Sequence, residues 1–225
     1  MADYNGDSLG LDAYIVKRKL LSNSFTLDFM DGSGNIVITA RKKIMSLDSK
    51  YEIKDAGGRI LGRVEQHLQL ALLPKVELQD SEGKMIGMLE FKGGIMQQLT
   101  QKSMQITDQN GAVAATISGD ILNYNYSISS PDGKPAAQIS RQMIGQNISS
   151  IIGNMFKDAY GISITPGSGV PSLMIIEFAV VVEHLAAAQQ RSGGAIGLGA
   201  VAGAFGGQMP GGFSGGTGIR FGGKL

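Results

Sequence analysis

Apolar and polar residues alternate in short runs along most of the chain before residue 166. In each run every second residue is apolar, which is the period of a β-strand with one face on a core and the other in solvent. The clearest runs carry their apolar residues at Phe25, Leu27 and Phe29, at Tyr51 and Ile53, at Val76 and Leu78, at Met104 and Ile106, and at Tyr126 and Ile128. The pattern predicts many short, half-buried strands.

Pairs of these runs are joined by the same kind of turn, an aspartate followed within a few residues by a glycine. The aspartate can accept hydrogen bonds from backbone N–H groups ahead of it, and the glycine can adopt the positive φ of a tight hairpin. The turn glycines are Gly34, Gly58, Gly83, Gly111 and Gly133, spaced 24, 25, 28 and 22 residues apart. Five such hairpins, an opening strand near Ala13 to Leu20 and a closing strand near Ala159 to Thr165 predict twelve strands.

The segment from Pro171 to Ala188 is apolar almost all the way round, so we expect a helix that is buried on every side. The bilayer is the less favourable burial site, because each acid near the middle of the segment would cost about 2.5–3.5 kcal/mol there. A twelve-stranded barrel has a lumen that its own side chains cannot fill. We therefore predict a mainly β fold, a closed antiparallel twelve-stranded barrel around a central helix at 171–190. The structural residues of that helix are expected to be Leu173, Ile176, Glu177, Val180, Val181 and His184.

The composition divides the chain into three parts. Residues 1–11 are predicted to be a flexible N-terminus, 12–191 the barrel with its helix, and 192–225 a disordered tail. In the tail, 14 of the 31 residues from Gly193 to Gly223 are glycine, and its few apolar residues are too dispersed for a core. Between the last hairpin and the closing strand, the isoleucines of 142–157 recur at helical spacing and predict a short helix or turn at the barrel mouth.

Little in the sequence points to catalysis or to a metal. Only His67 and His184 are histidines, with no nucleophile motif near either, and the absence of cysteine excludes disulfides and thiolate ligands. Glu177, His184 and Arg191 are seven residues apart and share one stripe of the helix. We interpret the stripe as structural groups at the barrel mouth or a strand gap, in preference to a ligand or proton site inside. No catalytic residue, metal ligand or cofactor is expected.

Charge limits the possible partners. The chain has 20 Lys and Arg against 19 Asp and Glu and no Trp, so it has neither the basic field nor the stacking platforms of a nucleic-acid binder. The N-terminus has no basic and apolar leader, so we expect a cytoplasmic protein. Two basic clusters remain, Lys17, Arg18 and Lys19 and then Arg41, Lys42 and Lys43. The simplest interpretation is a solvated barrel exterior.

The end of the barrel sequence resembles a known superfamily. One stretch is Ile139-Ser140-Arg141-Gln142-Met143-Ile144-Gly145, and a second is 157–167, whose Thr165-Pro166-Gly167 step leads into the apolar helix. These two stretches resemble the LURP-one-related and phospholipid scramblase families of the tubby C-terminal superfamily. In those families a Ser-Lys/Arg element precedes the last strand and a Pro-Gly or Phe-Pro step leads into a central helix. The resemblance covers roughly 12 to 190 and implies a non-enzymatic, tubby-like barrel whose Lys and Arg side chains can meet phosphoinositide headgroups.

The resemblance favours the LURP-one-related branch. Scramblases have acids just before the helix, whereas Gly167-Ser168-Gly169-Val170 has none, so calcium is not expected. The leading hypothesis is a binding module for anionic phospholipid at the inner membrane face, or for a protein partner, with the two basic clusters as the lipid-binding residues. The alternatives are a scramblase-like protein that inserts Leu173 to Ala188 into a membrane, and a scaffold that self-associates through the Gly-rich tail.

Overall fold

The structure is a computed structural model that describes residues 9–19, 25–43, 49–67, 75–91, 103–120, 125–141 and 159–191. These ranges contain twelve strands and one helix. The strands are β1 (Ala13–Arg18), β2 (Thr26–Met30), β3 (Ile36–Lys42), β4 (Ser49–Asp55), β5 (Ile60–His67), β6 (Lys75–Asp80), β7 (Met85–Phe91), β8 (Ser103–Thr107), β9 (Val113–Asp120), β10 (Asn125–Ser129), β11 (Pro135–Ser140) and β12 (Ala159–Ile164). The helix, α1, runs over Ser172–Arg191.

The strands form one closed barrel in which each strand is antiparallel to its neighbours in the chain. The barrel is closed by the pairing of β1 with β12, in which Val16 lies opposite Tyr160. On the other side of β1, Val16 lies opposite Phe29 of β2. Closure removes the exposed edges that an open sheet would present to other chains. The predicted mainly β fold, a twelve-stranded closed antiparallel barrel with a C-terminal helix, is confirmed.

Tight hairpins join β2–β3, β4–β5, β6–β7, β8–β9 and β10–β11, as the repeated turn sequence predicted. The five turn glycines have φ between 79° and 86°, a conformation that costs glycine little. In the β8–β9 hairpin, Asp108 Oδ1 accepts hydrogen bonds from the backbone N–H groups of Asn110 (2.8 Å) and Ala112 (2.9 Å). All five turns lie at one end of the barrel, the turn end. We call the opposite end, where β1 finishes at Arg18 and β3 at Lys42, the mouth.

The helix lies inside the barrel and runs from the turn end to the mouth. Its residues from Leu173 to Val182 are all 5% exposed or less, which confirms that it fills the barrel. It packs most closely against β5, and next against β6 and β7. The inward positions there include Gly62 and Gly87, and Met174 Cε would lie only 3.3 Å from a Cβ at Gly87. The helix is therefore off-centre, seated against strands on which Gly62 and Gly87 leave room for it.

Large aromatic side chains fill much of the space on other sides of the helix. The rings of Tyr126 and Phe178 meet edge to face with centroids 5.5 Å apart, and Tyr160 donates a hydrogen bond to the Ala179 carbonyl (3.4 Å). Among the described residues, no helix is both long and apolar enough to cross a membrane.

Several predictions fall on other parts of the chain. Residues 1–8 of the predicted flexible N-terminus, the 142–157 segment and the 192–225 tail lie outside the described residues. Within the N-terminal segment, the structure places Leu9 in the barrel core at 3% exposure. Ordered packing thus begins before residue 12.

Candidate functional site

The two predicted basic clusters flank β2. β1 and β3 do not pair with each other, but both pair with β2. Lys17 of β1 lies opposite Asp28 of β2, and Arg41 of β3 lies opposite Thr26 of β2. Strand alternation separates each cluster into two sets. Lys17, Lys19, Arg41 and Lys43 point outward, whereas Arg18 and Lys42 share the parity of the core residues Val16 and Ala40.

The outward lysines share a small number of carboxylates. Lys19 Nζ lies 2.8 Å from Asp28 Oδ2, and Lys43 Nζ lies 2.7 Å from Glu52 Oε1. Glu52 also faces a second cation, because Lys54 Nζ is 3.2 Å from its Oε2. The hydrogen bond from Lys43, with that from Lys54, holds the pKa of Glu52 below its usual value. Two cations on one carboxylate leave this part of the wall positive.

Lys50 and Lys54 of β4 extend the same surface, and the sequence interpretation missed them. The signal was present, since alternation in Lys50-Tyr51-Glu52-Ile53-Lys54 puts both lysines on the face opposite the buried Tyr51 and Ile53. Lys50 forms an ion pair with Glu65 of β5. We define the basic wall as the outward cations of β1–β4 and the residues directly after them: Lys17, Lys19, Arg41, Lys43, Lys50 and Lys54. Among the described residues, these six cations stand against three carboxylates that form ion pairs with them, Asp28 and Glu52 on the same strands and Glu65 on β5.

The part of the barrel wall formed by β8 to β12 is almost uncharged. Of the residues in β8 to β12, Asp120 alone carries a charged side chain. The outward positions there are mostly Ser, Thr, Gln and Asn, such as Gln105 and Ser127. Electrostatic attraction to an anion therefore depends strongly on which side of the barrel faces it.

The Arg18 side chain forms an ion pair with the helix at the mouth of the barrel. Its Nη1 lies 3.1 Å from Glu183 Oε1, and the Glu183 side chain is only 6% exposed. This ion pair ties the end of β1 to the helix and gives Arg18 a structural task. A lipid-binding role for Arg18 and Lys42 stays a prediction, as it does for the four outward residues of the two clusters.

His184, one member of the predicted polar stripe, lies among aromatic rings near the mouth. The Tyr51 hydroxyl and His184 Nδ1 are 2.5 Å apart and hydrogen-bonded. Phe25 completes the group, with its ring centroid 5.6 Å from His184 and 5.4 Å from Tyr51. Both hydrogen-bonding groups are buried, so this contact fixes the helix against β4.

Glu177, one helical heptad earlier, lies deeper and against the wall. It is 0% exposed, and within the described ranges neither carboxyl oxygen has a hydrogen-bond partner of normal geometry. Its Oε1 would lie 2.6 Å from a Cβ at Gly62, so the carboxyl group occupies the space that a side chain on β5 would need. Burial raises the pKa of Glu177 well above its usual value; the backbones of Gln79 and Arg63 act in the opposite direction, and Asp80 adds the smallest contribution, which raises the pKa.

Gly62 was not predicted as part of a site. A glycine inside a strand pattern signals a bulge or the close approach of another group, but the sequence does not say which group approaches. Arg191, the third residue of the predicted stripe, ends α1, and its side chain lies outside the described set. Within the described part of the chain, no three His, Cys, Asp or Glu side chains are placed to hold a metal ion.

Comparison with known proteins assigns the family. The sequence profile of the LURP-one-related family matches residues 12–183, about three quarters of the chain. The chain belongs to the LURP-one-related family. The matched range includes all twelve strands and the helix as far as Glu183, so this LURP-one-related protein has its family match over the whole barrel wall. The scramblase part of the resemblance stays a prediction.

A solved structure is also similar to this LURP-one-related barrel. It is the X-ray structure of a protein from Arabidopsis thaliana, with a TM-score of 0.49 and 10% sequence identity, covering 76% of this chain and 90% of that one. No curated protein matches the chain in sequence.

Proposed function

We propose that this LURP-one-related barrel is a non-enzymatic binding module that docks on anionic phospholipid at a membrane surface through the basic wall. The observation that carries the proposal is the placement of six outward cations on β1–β4 against the three carboxylates paired with them. A one-sided cationic surface suits an extended anionic partner, because several charges can approach it at the same time.

The charges are accessible enough to act. The side chains of Lys19, Lys43, Lys50 and Lys54 are 53%, 54%, 40% and 43% exposed, and Arg41 is exposed. In these ion pairs the lysines are the exposed partners, whereas the side chains of Asp28, Glu52 and Glu65 are 7%, 17% and 15% exposed, so it is the lysines that can turn towards lipid phosphate. Six cations minus the three carboxylates paired with them leave a net charge of three, and each basic residue near an anionic leaflet contributes about 1 kcal/mol. The wall could thus supply about 3 kcal/mol of binding energy.

The uncharged wall of β8–β12 supports a defined orientation. When one side of a barrel attracts the surface and the other has almost no charge, electrostatics select a single docking face. A protein partner with an acidic face is the alternative occupant. The scramblase-like mode has less support, because residues such as Ile176 and Val180 would have to leave a barrel in which they are completely buried.

Co-sedimentation with vesicles tests the proposal. We would compare vesicles of phosphatidylcholine alone with vesicles containing phosphatidylserine or a phosphoinositide, at low and high salt. We expect binding to the anionic vesicles only, weakened by salt because the charges are solvent-exposed. The double variant Arg41→Gln with Lys43→Gln should bind about 30-fold more weakly, which corresponds to the loss of about 2 kcal/mol.

The matched control is Lys84→Gln with Lys134→Gln, which removes the same charge from exposed residues at the turn end. It should bind nearly as well as the unmodified protein. Equal binding to neutral vesicles, or equal losses in the two double variants, would refute docking through the basic wall. Capture of an acidic protein with no vesicle binding would favour the protein-partner alternative and count against the lipid proposal.

A further inference from the structure

The interior of the barrel contains one carboxyl group that the lipid-binding proposal does not use. Glu177 projects from the middle of α1 onto the β5–β6 wall at Gly62. Its neighbours one helical turn away, Leu173, Met174, Val180 and Val181, are apolar and buried. A carboxylate in such surroundings would carry an unpaired charge in a medium of low polarity, which is very unfavourable, so the neutral acid is the stable form.

The space around the carboxyl group is closely defined. A Cβ at Gly62 would lie 2.6 Å from Glu177 Oε1, 2.8 Å from the Gln79 carbonyl oxygen and 2.9 Å from Leu173 Cδ1. Glycine is thus the residue that lets the carboxyl group reach the strand backbone. The site fixes the height of the helix inside the barrel, because a shift of one helical residue would move the carboxyl group onto a bulkier part of the wall.

We propose that Glu177 is a proton-dependent lock between the central helix and the β5–β6 wall: the neutral carboxyl group fits over Gly62, and loss of its proton to solvent loosens the helix from that wall.

The charges around the lock act in the same direction. Asp80, at the end of β6, is the carboxylate that faces Glu177, and a second negative charge is repelled by it. On β5, the guanidinium of Arg63 points away, with Nη1 2.8 Å from the Ser81 carbonyl oxygen and 3.4 Å from that of Asp80. On β7, the helix faces Gly87, which has no charge. Within the described residues, no cation is placed to stabilise ionised Glu177.

The sign of the pH effect follows from the raised pKa. The unfolded chain releases the Glu177 proton near its ordinary value of 4.5, whereas the folded protein keeps that proton to a higher pH. The stabilisation is complete below the unfolded pKa and is lost as pH rises towards the folded pKa. In that window the unfolding equilibrium constant rises about tenfold per pH unit from this group alone. Glu177→Gln keeps the shape and remains neutral, so it removes the effect.

The experiment is denaturant unfolding across pH for the unmodified protein and Glu177→Gln. We expect the ratio of their unfolding constants to change about tenfold per unit above about pH 4.5, with the variant the more stable protein at neutral pH. Glu90→Gln is the control of opposite sign, because the hydrogen bond from Lys75 lowers the Glu90 pKa. Amide exchange of 173–181, compared at one alkaline pH, should be faster in the unmodified protein.

Parallel pH profiles, or equal helix exchange at alkaline pH, would overturn the lock. If Glu177→Gln does not fold, a second measurement on the unmodified protein still tests the proposal. Infrared spectra recorded as the pH is raised from 4.5, with glutamate labelled by ¹³C, should show the carbonyl band of a protonated acid that persists to higher pH in the folded protein than in the unfolded protein. Absence of that band in the folded state would also overturn the proposal. None of these results depends on vesicle binding.

Discussion

Gly87→Ala tests whether the helix is seated off-centre against β5–β7. An alanine Cβ at this position would lie 2.8 Å from Ile106 Cγ2, and 3.3 Å from both Met174 Cε and the Thr107 carbonyl oxygen. The methionine methyl group can move, but the isoleucine is β-branched with a stiff χ1 and the carbonyl belongs to the wall. Overpacking of this kind typically costs 1–3 kcal/mol. Reduced freedom of the unfolded chain returns about 0.4–1 kcal/mol, so we expect a net loss of about 1–2 kcal/mol.

The assay is equilibrium unfolding in urea, with Gly32→Ala as the matched control, since a Cβ at Gly32 meets nothing within 4 Å. The control should be neutral or slightly stabilising. A double-mutant cycle of Gly87→Ala with Met174→Ala should show a coupling of about 0.5 kcal/mol or more, because the two residues are in contact. If the double-mutant cycle showed no coupling between positions 87 and 174, the close approach of helix and wall at this position would be wrong.

Two further substitutions test the turns and the mouth. Asp108→Ala removes the acceptor for the N–H groups of Asn110 and Ala112, so thermal unfolding should show a stability loss of about 1 kcal/mol. Asp108→Asn should lose less stability. An unchanged unfolding transition would contradict the role given to Asp108 in the turn. Tyr51→Phe removes the hydroxyl group bonded to His184 Nδ1 in a buried site, so urea unfolding should show a loss of about 1–2 kcal/mol, and an unaltered midpoint would show that the contact does not hold the helix.

The barrel could be predicted from sequence because its information is local. The alternation around Tyr51 and Ile53 reports which face of β4 is buried, and Gly58 after Asp55 reports a hairpin, without reference to distant residues. The number of strands and the apolar helix together then predicted a closed barrel. The lumen of a twelve-stranded barrel must be filled, and a helix that is apolar on all faces must be buried. The sequence did not predict which strands the helix would contact, since that depends on the sizes of inward residues on all twelve strands.

The candidate surfaces were predicted only in part for the same reason. Lys19 and Arg41 could be named from sequence, but their relation through β2 depends on pairing between strands. The ion pair of Arg18 with Glu183 joins residues far apart in sequence, so no local pattern separates Arg18 from its outward neighbours. Glu177 was noticed as a polar residue on an apolar helix, yet its significance comes from Gly62.

The buried acid and the basic wall are connected through β5. Gly62 points inward beneath the Glu177 carboxyl group, and the next residue, Arg63, lies opposite Glu52 of the basic wall. Because successive residues of a strand face opposite sides, a displacement of the backbone at Gly62 also displaces Arg63 on the outside. Close-packed walls transmit such shifts instead of absorbing them. If Glu177 acts as the proposed lock, its proton and the charge arrangement around Glu52 act on the same short segment of strand, Gly62 and Arg63 of β5.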